Sequence, residues 1–137
     1  MQPAILLVID PTGYKVDSVR TTIHELRLPC QIKHFPTVVQ ALSMIDTEVA
    51  LASDLVILNF SLPYMHASEA IQRLREIQVL TYAPMVVMVH DDWEVDQVPE
   101  ADGALRLPIT PSGLREVLKL IRPHGAASPV RPPIARA

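Results

Sequence analysis

The sequence predicts an α/β protein built on a five-stranded parallel sheet with helices on both faces, a three-layer α/β/α arrangement. Strand-like and helix-like segments alternate five times along the chain, which is typical of parallel strands joined by crossover helices. The first, third and fourth strand segments are apolar throughout, so we place them at the centre of the sheet, where both faces are buried. The second and fifth are shorter or more polar and belong at the edges. The predicted strand order is therefore 2-1-3-4-5.

The first part of the chain predicts a strand, a helix and a second strand. Residues 5–9 form an unbroken apolar run, as in a strand buried on both faces. Apolar residues then recur at helical spacing over residues 16–26, and Pro29 ends this helix. Residues 30–35 at first alternate between apolar and polar side chains, which indicates a half-exposed strand.

The middle of the chain predicts a second helix, a third strand and a third helix. Thr37 is a suitable N-cap for the second helix. The inner face of that helix is predicted to consist of Val38, Leu42, Ile45 and Val49. Residues 55–60 form the second fully apolar strand, and residues 70–77 carry the apolar stripe of the third helix.

The last part of the chain predicts two strands and two helices. Residues 85–89 are the third fully apolar strand, and residues 92–98 leave room for a shortened fourth helix of at most about two turns. Residues 103–107 form a short, weak strand. Thr110 and Pro111 then supply the N-cap and first position of a final helix, whose apolar stripe continues to residue 121.

The length of 137 residues corresponds to one domain, which we predict to cover residues 1–122. From Arg122 onward the chain is rich in proline and alanine and contains three arginines but no acidic residue. We therefore expect residues 123–137 to form a flexible tail or a linker. A polyproline docking peptide around residues 129–133 is an alternative.

Composition excludes several classes of protein. The formal net charge of −3 and the aromatic content of 4% argue against a nucleic-acid-binding surface. The sequence contains neither an apolar run long enough to span a bilayer nor the features of a signal peptide, so we expect a cytoplasmic protein without membrane contact. The single cysteine, Cys30, excludes an internal disulfide and is interpreted as a small apolar core residue.

Two polar residues stand where the central strands end. The order 2-1-3-4-5 is that of a flavodoxin-like doubly wound sheet, in which ligands bind at the switch point beyond the carboxyl ends of the first and third strands. These ends carry Asp10 and Asn59. The predicted topology therefore places the two side chains close together.

The stretch from Asp54 to Met65 resembles the middle strand and loop of response-regulator receiver domains, and the resemblance extends over roughly residues 4–122. In that family an aspartate ends the strand and accepts a phosphoryl group, and a proline follows four residues later. Here Pro63 is present, but the acceptor position is Asn59. A neutral amide cannot form an acyl phosphate, so the resemblance is to a receiver that lacks the phosphoacceptor.

The magnesium site of the family is also incomplete. The resemblance implies two acids after the first strand, and here the pair reads Ile9 and Asp10. The remaining ligands would be the backbone carbonyl of Ser61 and the amide of Asn59. Since Mg²⁺ requires several oxygen ligands and anionic charge, we expect Mg²⁺ binding to be weak or absent, and we predict no other metal or cofactor. Asp10 itself is most simply a loop or capping acid.

Three further positions depart from the family. The hydroxyl residue that contacts the phosphoryl group corresponds to Val89, and the lysine that precedes a proline corresponds to Leu107, followed by Pro108. The aromatic switch residue corresponds to Ala104. We therefore expect a pocket that is smaller and more apolar than a phosphorylation site.

These observations favour a receiver-like signalling module of the two-component (phosphorelay) type that is not an enzyme. We expect it to act independently of phosphorylation, by binding a kinase, an output protein or a second copy of itself. Trp93 and Arg106 are candidate interface residues. An alternative is a regulatory domain that binds a small ligand in an apolar pocket around Val89 and Leu107.

A third hypothesis is metal-assisted hydrolysis at Asp10, His66 and His90. No ligand spacing supports it, and His90, Asp91 and the acid that follows are more simply a solvated loop. Ser61 is a weaker candidate for a substitute phosphoacceptor, since its role in the family is that of a backbone carbonyl.

Overall fold

The computed structural model describes residues 3–44 and 46–121. These residues form one parallel sheet of five strands in the order β2-β1-β3-β4-β5, which confirms the predicted topology. The strands are β1 (Ala4–Ile9), β2 (Cys30–Phe35), β3 (Leu55–Asn59), β4 (Met85–Val89) and β5 (Gly103–Arg106). Every residue of β3 and β4 is buried, whereas β2 and β5 are partly exposed, as central and edge strands should be.

Six α-helices within the described residues cover the two faces of the sheet. They are α1 (Gly13–Glu25), α2 (Val38–Leu42), α3 (Thr47–Leu51), α4 (Ala67–Arg75), α5 (Asp92–Asp96) and α6 (Pro111–Leu118), with a 3₁₀ turn at Gln78–Leu80. Helices α1 and α6 pack on one face, and α2 to α4 contribute to the apolar cluster on the other. The three-layer arrangement is thus confirmed. None of these helices is both long and apolar enough to cross a membrane.

The predicted second helix is wrong in its extent. Thr37 does cap α2, because its Oγ1 accepts a hydrogen bond from the backbone N–H of Gln40 at 3.0 Å. The helix then stops at Leu42, and α3 begins separately at Thr47, so a single apolar stripe cannot form. Val49, predicted on the inner face, is exposed, and Leu51 is buried instead. Ile45 lies outside the described residues, as does the predicted tail.

The short fourth helix of the prediction corresponds to α5, which has little more than one turn. Its start is fixed by a capping box in which Glu94 Oε1 accepts hydrogen bonds from the backbone N–H groups of His90 and Asp91, at 2.5 and 3.2 Å. Glu94 is consequently buried despite its charge. The segment after β4 is therefore mostly one ordered turn of helix. The solvated loop predicted at His90 and Asp91 is limited to these two residues, which precede the helix.

Arg75 ties together the edge of the sheet where β4 and β5 begin. Its guanidinium donates to Asp102 Oδ2 at 2.7 Å and to the backbone carbonyls of Thr81 and Ala83. The same Asp102 oxygen accepts the backbone N–H of Met85 at 2.8 Å. Both charged side chains are mostly buried, so the pair is shielded from solvent screening.

We expect Arg75→Ala to lower the free energy of unfolding by about 2 kcal/mol, because it removes charge-assisted hydrogen bonds from a mostly buried carboxylate. Arg73→Ala is the matched control on the same helix, since its ion pair with Glu69 is about half exposed and should contribute less than about 0.5 kcal/mol. Urea unfolding of the two variants measures the difference. Equal losses would show that the Arg75 contacts do not stabilise this edge.

Candidate functional site

The candidate site lies at the carboxyl ends of β1 and β3, which are neighbours in the sheet. Ile9 of β1 is paired with Leu58 of β3, so the residues that follow, Asp10 and Asn59, face the same opening. Both side chains are buried. The strand order thus brings them together as the sequence predicts.

A network of hydrogen bonds joins these two side chains. The Nδ2 amide group of Asn59 donates to Asp10 Oδ1 at 2.7 Å. The hydroxyl of Thr12 donates to the other carboxylate oxygen, Oδ2, at 3.0 Å. Asn59 Oδ1 in turn accepts the backbone N–H of Ser61 at 3.1 Å. The buried acid therefore has a neutral hydrogen-bond donor on each oxygen, which offsets the cost of removing it from water.

His34 holds the backbone of the same loop, a contact that the sequence did not reveal. Its Nε2–H donates to the carbonyl oxygen of Asp10 at 2.9 Å, and the Asp10 N–H donates to the carbonyl of Phe35 at 3.2 Å. His34 is exposed, and it lies near the end of β2, where it pairs with Val8 of β1. The one sequence feature that could have indicated this contact is the position of His34 near the end of a strand predicted to lie beside β1.

The donor set at this opening does not fit a magnesium ion. Mg²⁺ is normally held by one or two carboxylates together with other oxygens in octahedral geometry. Here one carboxylate is present, and the group beside it presents N–H hydrogens, which repel a cation, rather than a second anionic oxygen. Within residues 3–44 and 46–121 no group of three histidine, cysteine or acidic side chains is arranged to hold a metal ion.

The two side chains predicted to line one apolar pocket do not meet. Val89 and Ile9 are buried in the cluster on one face of the sheet, and Ala104 packs against that cluster. Leu107 packs against the cluster on the opposite face. The reason is the alternation of side chains along a strand: Val89 pairs with Arg106, so the next residue points the other way. The prediction of a common apolar pocket around Val89 and Leu107 is therefore wrong.

The predicted interface residues lie at the same edge, around α5. Arg106 forms an ion pair with Asp92 and donates to the carbonyl of His90 at 3.3 Å. Trp93 is 57% exposed and packs edge-to-face on Phe60, with ring centroids 5.7 Å apart. Trp93 thus combines packing on one ring edge with a large exposed surface. Pro108 is also exposed.

The two histidines of the hydrolytic hypothesis, His66 and His90, lie at the starts of helices α4 and α5. His66 caps α4, since its Nδ1 accepts the backbone N–H of Ser68 at 3.1 Å, and its ring packs edge-to-face on Phe60. His90 is exposed at the start of the α5 capping box. These contacts leave His66 Nδ1 unable to act as a metal ligand or base without breaking the helix cap.

Comparisons with known proteins relate this chain to others through its structure alone. No protein-family model matches the sequence, and no curated protein matches it. Among solved structures, the chemotaxis response regulator CheY4 of Vibrio cholerae is similar, with 19% identity, a TM-score of 0.69, and coverage of 86% of this chain and 98% of that one. The bacteriophytochrome response regulator AtBRR is also similar, with 14% identity, a TM-score of 0.73, and coverage of 88% and 94%.

A third similar structure is the receiver domain of a sensor histidine kinase from Pseudomonas aeruginosa PAO1, which has magnesium coordinated in its active-site cleft. It shares 13% identity with a TM-score of 0.69, and the match covers 85% of this chain and 95% of that domain. At this level of identity the likeness establishes the fold. The chain has the flavodoxin-like fold of receiver domains, and the structural neighbours come from two-component systems.

We expect Asn59→Asp to lower the free energy of unfolding at pH 7 by roughly 2 kcal/mol, because it places a second buried carboxylate against Asp10. Urea unfolding of the variant and of the wild type at pH 7 measures the loss.

The double variant Asp10→Asn/Asn59→Asp is the matched control, since it keeps one carboxylate and one amide with their positions exchanged. It should regain most of the stability lost by the single variant at pH 7. Equal stability of all three proteins at pH 7 would contradict the account of this site.

Proposed function

We propose that this chain is a phosphorylation-independent, receiver-like signalling module of the two-component type. It acts in the cytoplasm by binding another protein, either a kinase, an output protein or a second copy of itself, and not as an enzyme. It binds neither nucleic acid nor membranes, and Mg²⁺ binds weakly or not at all. The fold shared with receiver domains supports the signalling class.

The hydrogen bond between Asn59 and Asp10 is the observation that carries this proposal. Phosphoryl transfer to a side chain needs a nucleophilic oxygen and groups that neutralise the transferred charge. The side chain at the position that matches the acceptor is an amide, and its nitrogen and oxygen are both used in hydrogen bonds to Asp10 and Ser61. The amide therefore serves as a structural partner of the remaining acid.

The side chains around the pair support the same proposal. Val89 and Ile9 are fully packed in the apolar core and offer no hydrogen bond to a phosphoryl group. Leu107, at the position that matches the lysine, packs against apolar side chains. A lysine with neither a phosphoryl group nor a second acid to pair with would incur a desolvation cost at this position. Leucine avoids that cost and strengthens the packing.

The exposed residues around α5 support binding to a protein. Trp93 presents more than half of its surface to solvent, and tryptophan is among the residues most enriched at the energetic centres of interfaces. Beside it, Arg106 is held by Asp92 and by the carbonyl of His90, so its guanidinium is already oriented. Pre-orientation lowers the entropy lost when a partner binds.

Incubation with acetyl phosphate and MgCl₂ tests the proposal directly. We expect intact-mass spectrometry to detect no aspartyl phosphate, because no acceptor carboxylate stands at residue 59. Sedimentation in the presence of beryllium fluoride and Mg²⁺ should be unchanged. A phosphoreceiver that responds to acetyl phosphate serves as the positive control. A stoichiometric phosphorylated species, or a tight magnesium-dependent beryllofluoride complex, would contradict the proposal.

We also expect that Asn59→Asp alone does not restore robust phosphorylation. The variant supplies an acceptor, but Ile9, Val89 and Leu107 still lack the acid, the hydroxyl and the amine that stabilise the transferred charge. The same mass measurement over time provides the rate. Rapid phosphorylation of this single variant would show that the supporting residues matter less than the proposal requires.

A further inference from the structure

Trp93 of α5 is fixed on one side and open to solvent on the other. Its ring packs on Phe60 with an angle of 82° between the ring planes, and Phe60 also meets the ring of His66 edge-to-face. More than half of Trp93 is nevertheless exposed. Because the contact with Phe60 already orients the indole, a partner that stacks on it causes little further loss of side-chain entropy. The electron-rich face of an indole attracts cations, and arginine is the commonest of them in proteins.

The charges around this indole are mostly negative. Residues 91–100, which include all of α5, contain five acidic residues and no lysine or arginine. Glu94 belongs to the capping box, and Glu100 accepts hydrogen bonds from two side chains of α4. Asp92 is paired with Arg106. These three acids therefore have partners within the chain.

Asp96 is the acid of α5 that has no such partner. Its side chain is exposed, and across residues 3–44 and 46–121 no hydrogen bond or ion pair reaches its carboxylate. It is the last residue of the helix, where the free backbone carbonyls make a negative charge unfavourable. It also follows Asp92 by four residues, the helical spacing at which like charges repel. A cation bound beside Asp96 would relieve both effects.

The helix places this carboxylate next to the indole. Trp93 and Asp96 are three residues apart in α5, a spacing at which the Cβ atoms of a helix lie about 5–6 Å from each other. A guanidinium that stacks on the indole can therefore also donate hydrogen bonds to the carboxylate. Arginine suits this arrangement better than lysine, since its planar group stacks on aromatic rings and donates through a rigid fork.

We propose that the surface formed by Trp93 and Asp96 binds an arginine from a basic segment of a partner protein, with the guanidinium stacked on the indole and paired with the carboxylate. This inference rests on the proposed function, because it names the chemistry of the partner at the surface to which that function assigns protein binding. The complementary charge selects the partner: an acidic segment would be repelled by Asp96 and by Asp91, which is also exposed.

Titration of the full-length chain with a capped peptide of alternating alanine and arginine tests this proposal. Trp93 is the single tryptophan of the sequence, so its fluorescence reports the contact, and amide NMR shifts locate it. We expect a saturable change in fluorescence, with the largest shifts at residues 92–97. A peptide with citrulline in place of arginine keeps the shape of the side chain without its charge and should bind about tenfold more weakly. Added salt should weaken the binding of the arginine peptide.

Variants of the chain assign the contact to individual side chains. Asp96→Asn should weaken binding of the arginine peptide about fivefold, because it removes the charge and keeps the shape. Trp93→Leu, followed by NMR, should abolish the shifts at residues 92–97. Asp17→Asn is the matched control with the same change in net charge, since Asp17 is an exposed acid of α1, on the other face of the sheet. This control should leave the affinity unchanged.

Four results would overturn the proposal. Two of them are the absence of a saturable change with the arginine peptide and equal effects of Asp96→Asn and Asp17→Asn. Binding of a glutamate peptide to residues 92–97 would assign the surface to an acidic partner. A fluorescence change that depends on protein concentration alone, and that Asp96→Asn abolishes, would assign it to a second copy. None of these results concerns phosphorylation, so the acetyl phosphate experiment decides the proposed function separately.

Discussion

The hydrogen bond between the Asn59 amide and the Asp10 carboxylate is the interaction on which the character of this site depends. It joins the ends of two adjacent central strands and gives a buried acid a neutral partner. With Thr12 on the other oxygen, the carboxylate is satisfied without a metal or a lysine. A charged amine or a second acid is then unnecessary for stability, and apolar residues can occupy the surrounding positions. The amide at residue 59 and the apolar side chains of Ile9, Val89 and Leu107 thus have one physical explanation.

The two edges of the sheet have different chemistry. At the carboxyl edge, α5 and the end of β5 are held by the capping box of Glu94 and by the pair of Arg106 with Asp92, and Trp93 remains exposed. At the opposite edge, Arg75 and Asp102 fix the strand starts through mostly buried contacts. The two edges therefore differ in exposure: an aromatic side chain is open to solvent at the first, whereas the charged pair of the second is mostly buried.

The strands and their order could be predicted because central parallel strands must be apolar on both faces, and this requirement is local in the sequence. The meeting of Asp10 and Asn59 followed from that order. The break between α2 and α3 could not be predicted, because Val49 is apolar and yet exposed. The bond from His34 to the Asp10 carbonyl depends on the register of two strands, which composition does not reveal. The separation of Val89 from Leu107 depends on the same kind of register.

An NMR titration with MgCl₂ that follows the side-chain amide protons of Asn59 and the carboxyl carbon of Asp10 tests whether the amide or a cation occupies this carboxylate. We expect a slowly exchanging Asn59 amide proton, hydrogen-bonded to the carboxylate, whose resonance does not move as Mg²⁺ is added. The Asp10 carboxyl resonance should also stay in place. A saturable shift of both resonances, with faster exchange of the amide proton, would contradict this expectation. That result would mean that the cation displaces the amide and that the acid still serves as a metal ligand.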